Sequence, residues 1–322
     1  MPEQPRITAA DPGPTLSPVH MHLHSPGEPG VGIVVSNERC TDHKSASFTR
    51  HIVIDISDTR LSGNFTSGQS FGVIPPGVDE RGLAHKVRLY SIASPTLGED
   101  GRGRLVSTTV KRTIAEHWET HRLFLGVCSN YLCDLQPGDK VRVTGPSGKR
   151  FVLPVAPEEH DYLLLATGTG IAPFRGMIAD IRRASPASKI VLILGAAYRT
   201  DLPYHDQFMS LASKDSGFHY FSALSREAQI DGGRPMYVDG RLAAESERLV
   251  PMLMSERTLV YICGIAGMEL GVFQQLARML PPEMLARYIG VDEGLRSDIG
   301  GWQRRMIPRE IRPTRRVFME VY

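Results

Sequence analysis

The stretch YLLLATGTGIAPFRGMIADIRR, residues 162–183, decides the fold. Tyr162–Ala166 runs apolar without a break, as expected of a strand covered on both faces. Gly168 and Gly170 follow, and then an amphipathic stretch with helical spacing, with Pro173 well suited to a first turn. Strand, glycine turn and helix in that order let backbone approach a pyrophosphate closely. The letters are not the dinucleotide fingerprint GxGxxG, because Pro173 takes the place of the third glycine. No Gly-Lys-Ser/Thr follows either, so the stretch is not a P-loop.

Towards the C-terminus the same rhythm returns. IVLIL (190–194), FHYFSAL (218–224) and LVYIC (259–263) alternate with amphipathic segments such as GMELGVFQQLARML (267–280). This βα series predicts a doubly wound parallel sheet, which binds ligands at the carboxyl ends of its strands. Towards the N-terminus the pattern is different. GIVVS, HIVIDI, GQSFGVIP, VRLYSIAS, RLVSTTVKR and KVRVTGP are short β-rich runs separated by turn residues. They predict an antiparallel β-barrel with one short helix over Ser129–Leu135, capped by Ser129 or Asn130. The expected fold is therefore two-domain, an antiparallel β-barrel followed by an α/β doubly wound parallel sheet. The expected boundaries are 1–30 for a Pro- and Gly-rich flexible tail, 31–154 for the barrel and 155–322 for the α/β domain.

Composition narrows the function. The 322 residues are 41% hydrophobic and 22% charged, which excludes collagen-like, disordered and coiled-coil classes. A net charge of +2 argues against a nucleic-acid partner. Cys40, Cys128, Cys133 and Cys263 form no CxxC pair, which argues against an iron–sulfur or zinc site and for reduced thiols in a cytoplasmic setting. His20, His22 and His24 alternate without a carboxylate or thiol partner and read as a polar stretch, so no metal is expected. No apolar run reaches the ~18 residues of a transmembrane segment, and the N-terminus lacks the pattern of a signal or transit peptide.

Five further motifs carry chemistry, each beside a plainer reading. In Arg88-Leu89-Tyr90-Ser91, period two puts Arg88 and Tyr90 on one face, where a guanidinium pairs with phosphate and a ring stacks on a heterocycle. A strand with one solvated Arg explains the same letters. Gly126-Val127-Cys128-Ser129-Asn130 opens a helix with unpaired N–H groups, an anion site or a simple cap. Ser225-Arg226 after FHYFSAL suits a phosphate monoester, although Glu227 stands beside it. Tyr237 downstream suits adenine or a core. Cys263-Gly264-Ile265-Ala266-Gly267 ends a buried strand, where a Cys is commonly a small hydrophobe. Finally, Val317–Tyr322 is apolar and strand-like where termini are commonly polar, and Phe318, Glu320 and Tyr322 share a face.

Taken in order, RLYSIAS, VKR, GVCSNYLCDLQPGD, GPSGK, GTGIAPFR, LPYHDQF, LSRE, VYICGIAGMELG and the terminal EVY resemble the plant-type ferredoxin–NADP⁺ reductase family from about Val31 to Tyr322. The resemblance implies a barrel that binds FAD and an α/β domain that binds NADP(H). It places Arg88 and Ser129, with the neighbouring Leu89, Val127 and Cys128, on FAD, and Lys111 near the nucleotide. Tyr90 and Tyr322 flank the isoalloxazine, and Tyr322 moves aside for nicotinamide. Ser91, Cys263 and Glu320 line the reaction pocket, with Ser91 and Glu320 as a proton route. Gly168, Thr169 and Gly170 hold the NADP pyrophosphate, and Ser225, Arg226 and Tyr237 its 2′-phosphate and adenine.

The implied partner is an acidic electron carrier, ferredoxin or flavodoxin. An NAD(P)H-dependent flavin reductase feeding an oxygenase and a non-catalytic nucleotide-binding regulator are the alternatives. Three departures stand out. Pro235 occupies the family's usual Lys position, with Arg234 beside it. His117 or Trp118 stands where a Tyr usually meets the FAD adenine. The stretch Arg296–Arg316 is long and Arg-rich, either a basic docking surface or a solvated connector.

Overall fold

The computed structural model describes residues 13–322. Its first half forms strands β1 (Gly30–Arg39), β2 (Thr49–Asp55), β3 (Ser70–Ile74), β4 (Arg88–Ser91), β5 (Leu105–Lys111), β6 (Ile114–Glu116) and β7 (Leu123–Leu125), then helix α1 (Val127–Asp134) and strand β8 (Lys140–Ser147). Six of these strands pair antiparallel in the order β4-β3-β8-β1-β2-β5. A bridge between Ile92 and Thr108 joins the two ends, so the sheet closes into a barrel. Alternate residues point inward, as in β1, where Val34 is buried while Val31, Ile33 and Val35 are exposed. The strands β6 and β7 form a separate hairpin on the surface.

The second half contains β9 (Asp161–Thr167), α2 (Ile171–Ala184), β10 (Ile190–Ala196), α3 (His205–Lys214), β11 (Phe218–Leu224), α4 (Val238–Ala244), α5 (Ser246–Met254), β12 (Thr258–Gly264), α6 (Met268–Met279), α7 (Pro282–Leu285), β13 (Ile289–Val291), β14 (Ile311–Pro313) and β15 (Val317–Val321). Five strands pair in parallel in the order β11-β10-β9-β12-β15. Both faces are covered. Leu163 and Leu165 enter one apolar core with Val272 and Phe273, while Tyr162, Leu164 and Ala166 enter the other with Phe174 and Ile178. That is why the run from 162 to 166 has no polar alternation. Strands β9 and β12 lie centrally, so their carboxyl ends converge beside that of the edge strand β15.

Three expectations differ from what is found. Of the expected flexible tail, residues 1–12 lie outside the described residues, but residues 13–30 are docked. Ser17 donates its N–H to the Leu153 carbonyl (3.1 Å), and His24 and Gly145 exchange backbone bonds at 3.0 and 2.9 Å. An extended segment satisfies its backbone against a neighbour without any apolar period of its own, so periodicity gives no sign of docking. The short helix starts at Val127 rather than Ser129 and has no side-chain cap; the extended Gly126 precedes it. The Arg-rich stretch is not a solvated connector: Trp302 and Ile311 enter the sheet core. Two of its arginines are paired, Arg304 with Glu269 at 2.6 Å and Arg312 with Asp292 at 2.5 Å.

Candidate active site

The site is assembled from backbone turns at the carboxyl ends of β9 and β12. After Thr167 the chain makes a single 3-10 turn, Gly168–Gly170, directly into α2. Gly168 adopts a φ of +52° with open space where a side chain would be. Gly170 is required for a different reason: a Cβ there would lie 2.1 Å from the Cys263 carbonyl oxygen. Gly264 approaches just as closely from the other side, with φ +146° and a Cβ position 2.1 Å from Thr167 Oγ1. Thr167 ties the two loops together, its Oγ1 accepting from the Ile265 N–H at 2.9 Å. Nothing local in the sequence marks Thr167, a hydroxyl whose partner is 98 residues away.

Gly170→Ala therefore forces backbone apart. We expect it to destabilise the protein by about 1–3 kcal/mol, the usual scale for overpacking. Urea unfolding monitored by circular dichroism measures this, and an unchanged midpoint contradicts the close approach.

Strand β15 and the residue after it bring Glu320 and Tyr322 to this junction beside Cys263 of β12. Glu320 pairs in register with Cys263, which is fully buried. Burial pushes the Cys263 thiol well above its ordinary value. It also pushes the half-buried Glu320 carboxyl up to about 7. Glu320 Oε1 reaches across to the barrel, lying 3.9 Å from the position a Cβ on Gly148 would take. Tyr322 is held at both ends. Its N–H donates to Gly264 (3.0 Å), its carbonyl accepts from Ala266 (2.9 Å), and its hydroxyl shares a hydrogen bond with Thr169 Oγ1 (2.7 Å). Tyr322 as a whole residue is 64% exposed.

The barrel supplies the opposing lip. Ser91 pairs with Ser70, and Ser70 pairs on its other side with Ser147, the residue before the Gly148 turn that Glu320 faces. Tyr90 is half-buried and packs against the barrel core that contains Cys128. Burial raises the Tyr90 phenol, and the Arg88 charge acts against that rise. Helix α1 begins beside them. Its first intrahelical bond runs from Asn130 N to Gly126 O (3.0 Å), which leaves the N–H groups of Val127, Cys128 and Ser129 without intrahelical partners.

Ser129 does not cap the helix. Its hydroxyl donates to Gly126 O (3.2 Å) and accepts from Thr113 N (3.1 Å), tying the helix start to the segment after Lys111. Leu89, Val127, Leu123, Phe124, Leu125 and Trp118 leave apolar surface in water on this side. Trp118 is exposed near the hairpin end, while His117 Nδ1 is engaged by Thr120 N–H.

Ser225 and Arg226 follow β11 and donate backbone N–H bonds to Ala196 and Ala197, both at 3.0 Å. Met236 N–H returns to Leu224 O (2.8 Å), which brings the exposed Tyr237 beside them. Arg226 takes part in none of the ion pairs among the described residues. Glu227, the nearby acid, accepts the Arg199 N–H instead. No cluster of three or more His, Cys, Asp or Glu with metal-binding geometry occurs among the described residues.

A barrel lip bearing Arg88 and Tyr90, set against paired glycine turns at the carboxyl edge of a parallel sheet, defines a two-domain dinucleotide-binding protein. Known proteins agree. Residues 164–273 match the model of the oxidoreductase NAD-binding domain family. The chain is 38% identical over 260 residues to a ferredoxin–NADP reductase of Thermosynechococcus vestitus, covering 79% of this chain and 67% of that protein. It is 39% identical over 269 residues to the root-type chloroplastic ferredoxin–NADP reductase of Nicotiana tabacum, covering 80% and 71%. The fold matches the ferredoxin–NADP⁺ reductase of Plasmodium falciparum with a TM-score of 0.68 at 18% identity, covering 93% and 98% of the two chains. This chain belongs to the ferredoxin–NADP reductase family.

Proposed function

We propose that this chain is an FAD-dependent oxidoreductase that exchanges hydride with NADP(H) and single electrons with an acidic carrier, ferredoxin or flavodoxin. Bound FAD supplies what no side chain can, two-electron exchange on one side and one-electron exchange on the other. The residues present fit such a group. The N–H groups opening α1 and the Arg88 guanidinium suit a pyrophosphate, and the bare apolar surface of Leu89 and Val127 beside them suits the rest of FAD.

Residues 31–154 act as the FAD domain and residues 155–322 as the NADP(H) domain. Arg88 and Ser129 hold the FAD pyrophosphate, Lys111 lies near the nucleotide, and Tyr90 and Tyr322 flank the ring. Gly168, Thr169 and Gly170 hold the NADP pyrophosphate, because the open space over Gly168 admits a phosphate against backbone. Ser225 and Arg226 take the 2′-phosphate, and Tyr237 the adenine. Cys263 lines the reaction pocket. Glu320, with Ser91, holds and moves the proton.

The observation that carries this reading is the grip on Tyr322, whose backbone and hydroxyl engage the Gly264 and Gly168–Gly170 turns together. Such a grip on the Gly168–Gly170 turn supports a role for the Tyr322 ring beside the nucleotide. The four cysteines are free thiols, which supports a cytoplasmic location. No helix among the described residues is long and apolar enough to cross a membrane.

Reconstitution tests the assignment. We expect the protein purified with FAD to be yellow, to be bleached by NADPH without oxygen, and to pass electrons to added ferredoxin or flavodoxin. A protein that cannot retain FAD overturns the assignment. Turnover stimulated only by an oxygenase points instead to a reductase dedicated to that partner.

A further inference from the structure

The helix that starts at the nucleotide turn is also fastened, side on, to the barrel segment that continues from Arg88–Ser91. Arg175 sits in the second turn of α2 and grips Glu99 with both nitrogens, Nη1 to Oε1 at 2.5 Å and Nη2 to Oε2 at 3.2 Å. The same Nη1 donates to the Ala93 carbonyl at 3.1 Å. One residue on, Gly176 lets backbone meet backbone, since a Cβ there would lie 2.2 Å from Ser94 O. One turn further, Asp180 Oδ2 accepts from both the N–H and the hydroxyl of Thr96, at 2.8 and 2.7 Å.

The barrel side of the fastening is itself braced. Glu99 accepts from the Ser107 hydroxyl at 2.6 Å, and His51 Nε2 lies 3.5 Å from it. His51 and Thr109 both hydrogen-bond the Tyr204 hydroxyl, at 2.8 and 2.6 Å, and the Arg175 guanidinium lies over that ring. Burial works against the Glu99 charge, yet bonds from His51, Arg175 and Ser107 hold its carboxyl down to about 2. A half-buried, bidentate charged pair of this kind is weak evidence for added stability, because desolvation offsets part of the attraction. Its geometry is directional, however, and fixes one arrangement of the two domains.

We propose that Arg175, Glu99 and Asp180 are positioning residues: by locking α2 to residues 93–99 they set the separation between the Gly168–Gly170 turn and the Tyr90–Ser91 edge, and hence the alignment for hydride transfer. The proposal rests on the functional reading above. None of the three touches the reacting atoms. They act through the two segments they join, and small misplacements of reacting groups are costly, about 100-fold for an ångström.

The test compares R175K, E99Q, D180A and D180N. Arg175→Lys keeps the charge but loses the fork, whereas Asp180→Asn keeps an acceptor for Thr96. At saturating NADPH, we expect flavin reduction per bound FAD to slow by roughly 10- to 100-fold in R175K, E99Q and D180A. D180N should recover most of the rate, and NADPH affinity by calorimetry should change by less than about 3-fold, since no nucleotide contact is lost. In the FAD-free proteins, hydrogen exchange should quicken together in residues 93–99 and 171–180 while β10 and β11 keep their protection. Variants that fold but keep both the wild-type rate and exchange pattern overturn the proposal. So do equal losses in affinity and rate, which would make Arg175 a nucleotide ligand. A wild-type protein that takes neither FAD nor NADPH overturns the functional reading and this proposal together; the exchange pattern then separately shows whether the fastening exists.

Discussion

Replacing Glu320 with Gln slows NADPH-dependent flavin reduction or reoxidation by roughly 100-fold or more, the lower end for loss of a positioned proton donor and acceptor. FAD content should not fall, because the Glu320 carboxyl lies by Cys263 and the Gly148 turn rather than at Arg88 and the start of α1, the segments proposed to hold the FAD pyrophosphate. The effect is large because burial lifts this carboxyl to about 7, so both its forms are populated at neutral pH. An amide of the same size can neither lose nor gain that proton. Stopped-flow traces across pH 5–9 check the prediction: the Gln variant should lack the wild-type inflection near 7, and full rates would leave the carboxylate a purely structural role.

The same shift has a consequence for stability, and its sign follows from proton linkage. A carboxyl raised in the folded state binds a proton more tightly folded than unfolded, so its stabilising contribution is complete below the ordinary value of 4.5 and is lost as pH rises through about 7. The FAD-free Gln variant should therefore gain thermal stability relative to wild type between those two values. An offset in melting temperature that does not change with pH would contradict the burial described for Glu320.

Arg226→Ala weakens NADPH binding by about 1.5–3 kcal/mol, the scale of a hydrogen bond to a charged group, or roughly 10- to 150-fold. NADH kinetics should hardly change, because the 2′-phosphate is the only difference between the two nucleotides. Two features sharpen the expectation. Arg226 is exposed and has no ion-pair partner among the described residues, and Glu227 is taken up by the Arg199 backbone. The acid that the sequence sets beside Arg226 is thus already engaged. Equal losses with both nucleotides, measured as kcat/KM, would remove Arg226 from the phosphate.

The parallel sheet was legible because no side of β9 or β12 faces water, so each strand appears as an unbroken apolar run. The order of the strands was not, since nothing in LVYIC says that it pairs with Leu163–Leu165 on one side and Phe318 on the other. At the site, Gly168 and Gly170 announced a turn, but only the fold reveals that Gly170 is needed against the Cys263 carbonyl. Tyr322 was legible as a docked terminus, and its hydroxyl bond to Thr169 was not. Arg175 and Glu99 look like ordinary surface charges in the sequence, because 76 residues separate them and burial has no local signature. The docked segment from Gly13 to Gly30 carries no periodic pattern for a related reason: main-chain bonds at Ser17 and His24 do much of the holding, and the side-chain contacts are scattered, as from Ser17 Oγ to Pro154 O.

Strand β15 forms an outer border of the parallel sheet, and such borders are templates on which stray chains add and fibrils start. Here that border also carries Glu320, with Tyr322 directly after it, so an accretion would poison turnover as well as solubility. The barrel escapes the hazard by closing on itself. Beside β15, a wide recess is flanked by Pro14, Pro308 and Pro313 together with Arg150, Arg287, Arg312, Arg315 and Arg316. Proline cannot donate to a ladder, so this margin is shielded against recruitment of its own kind.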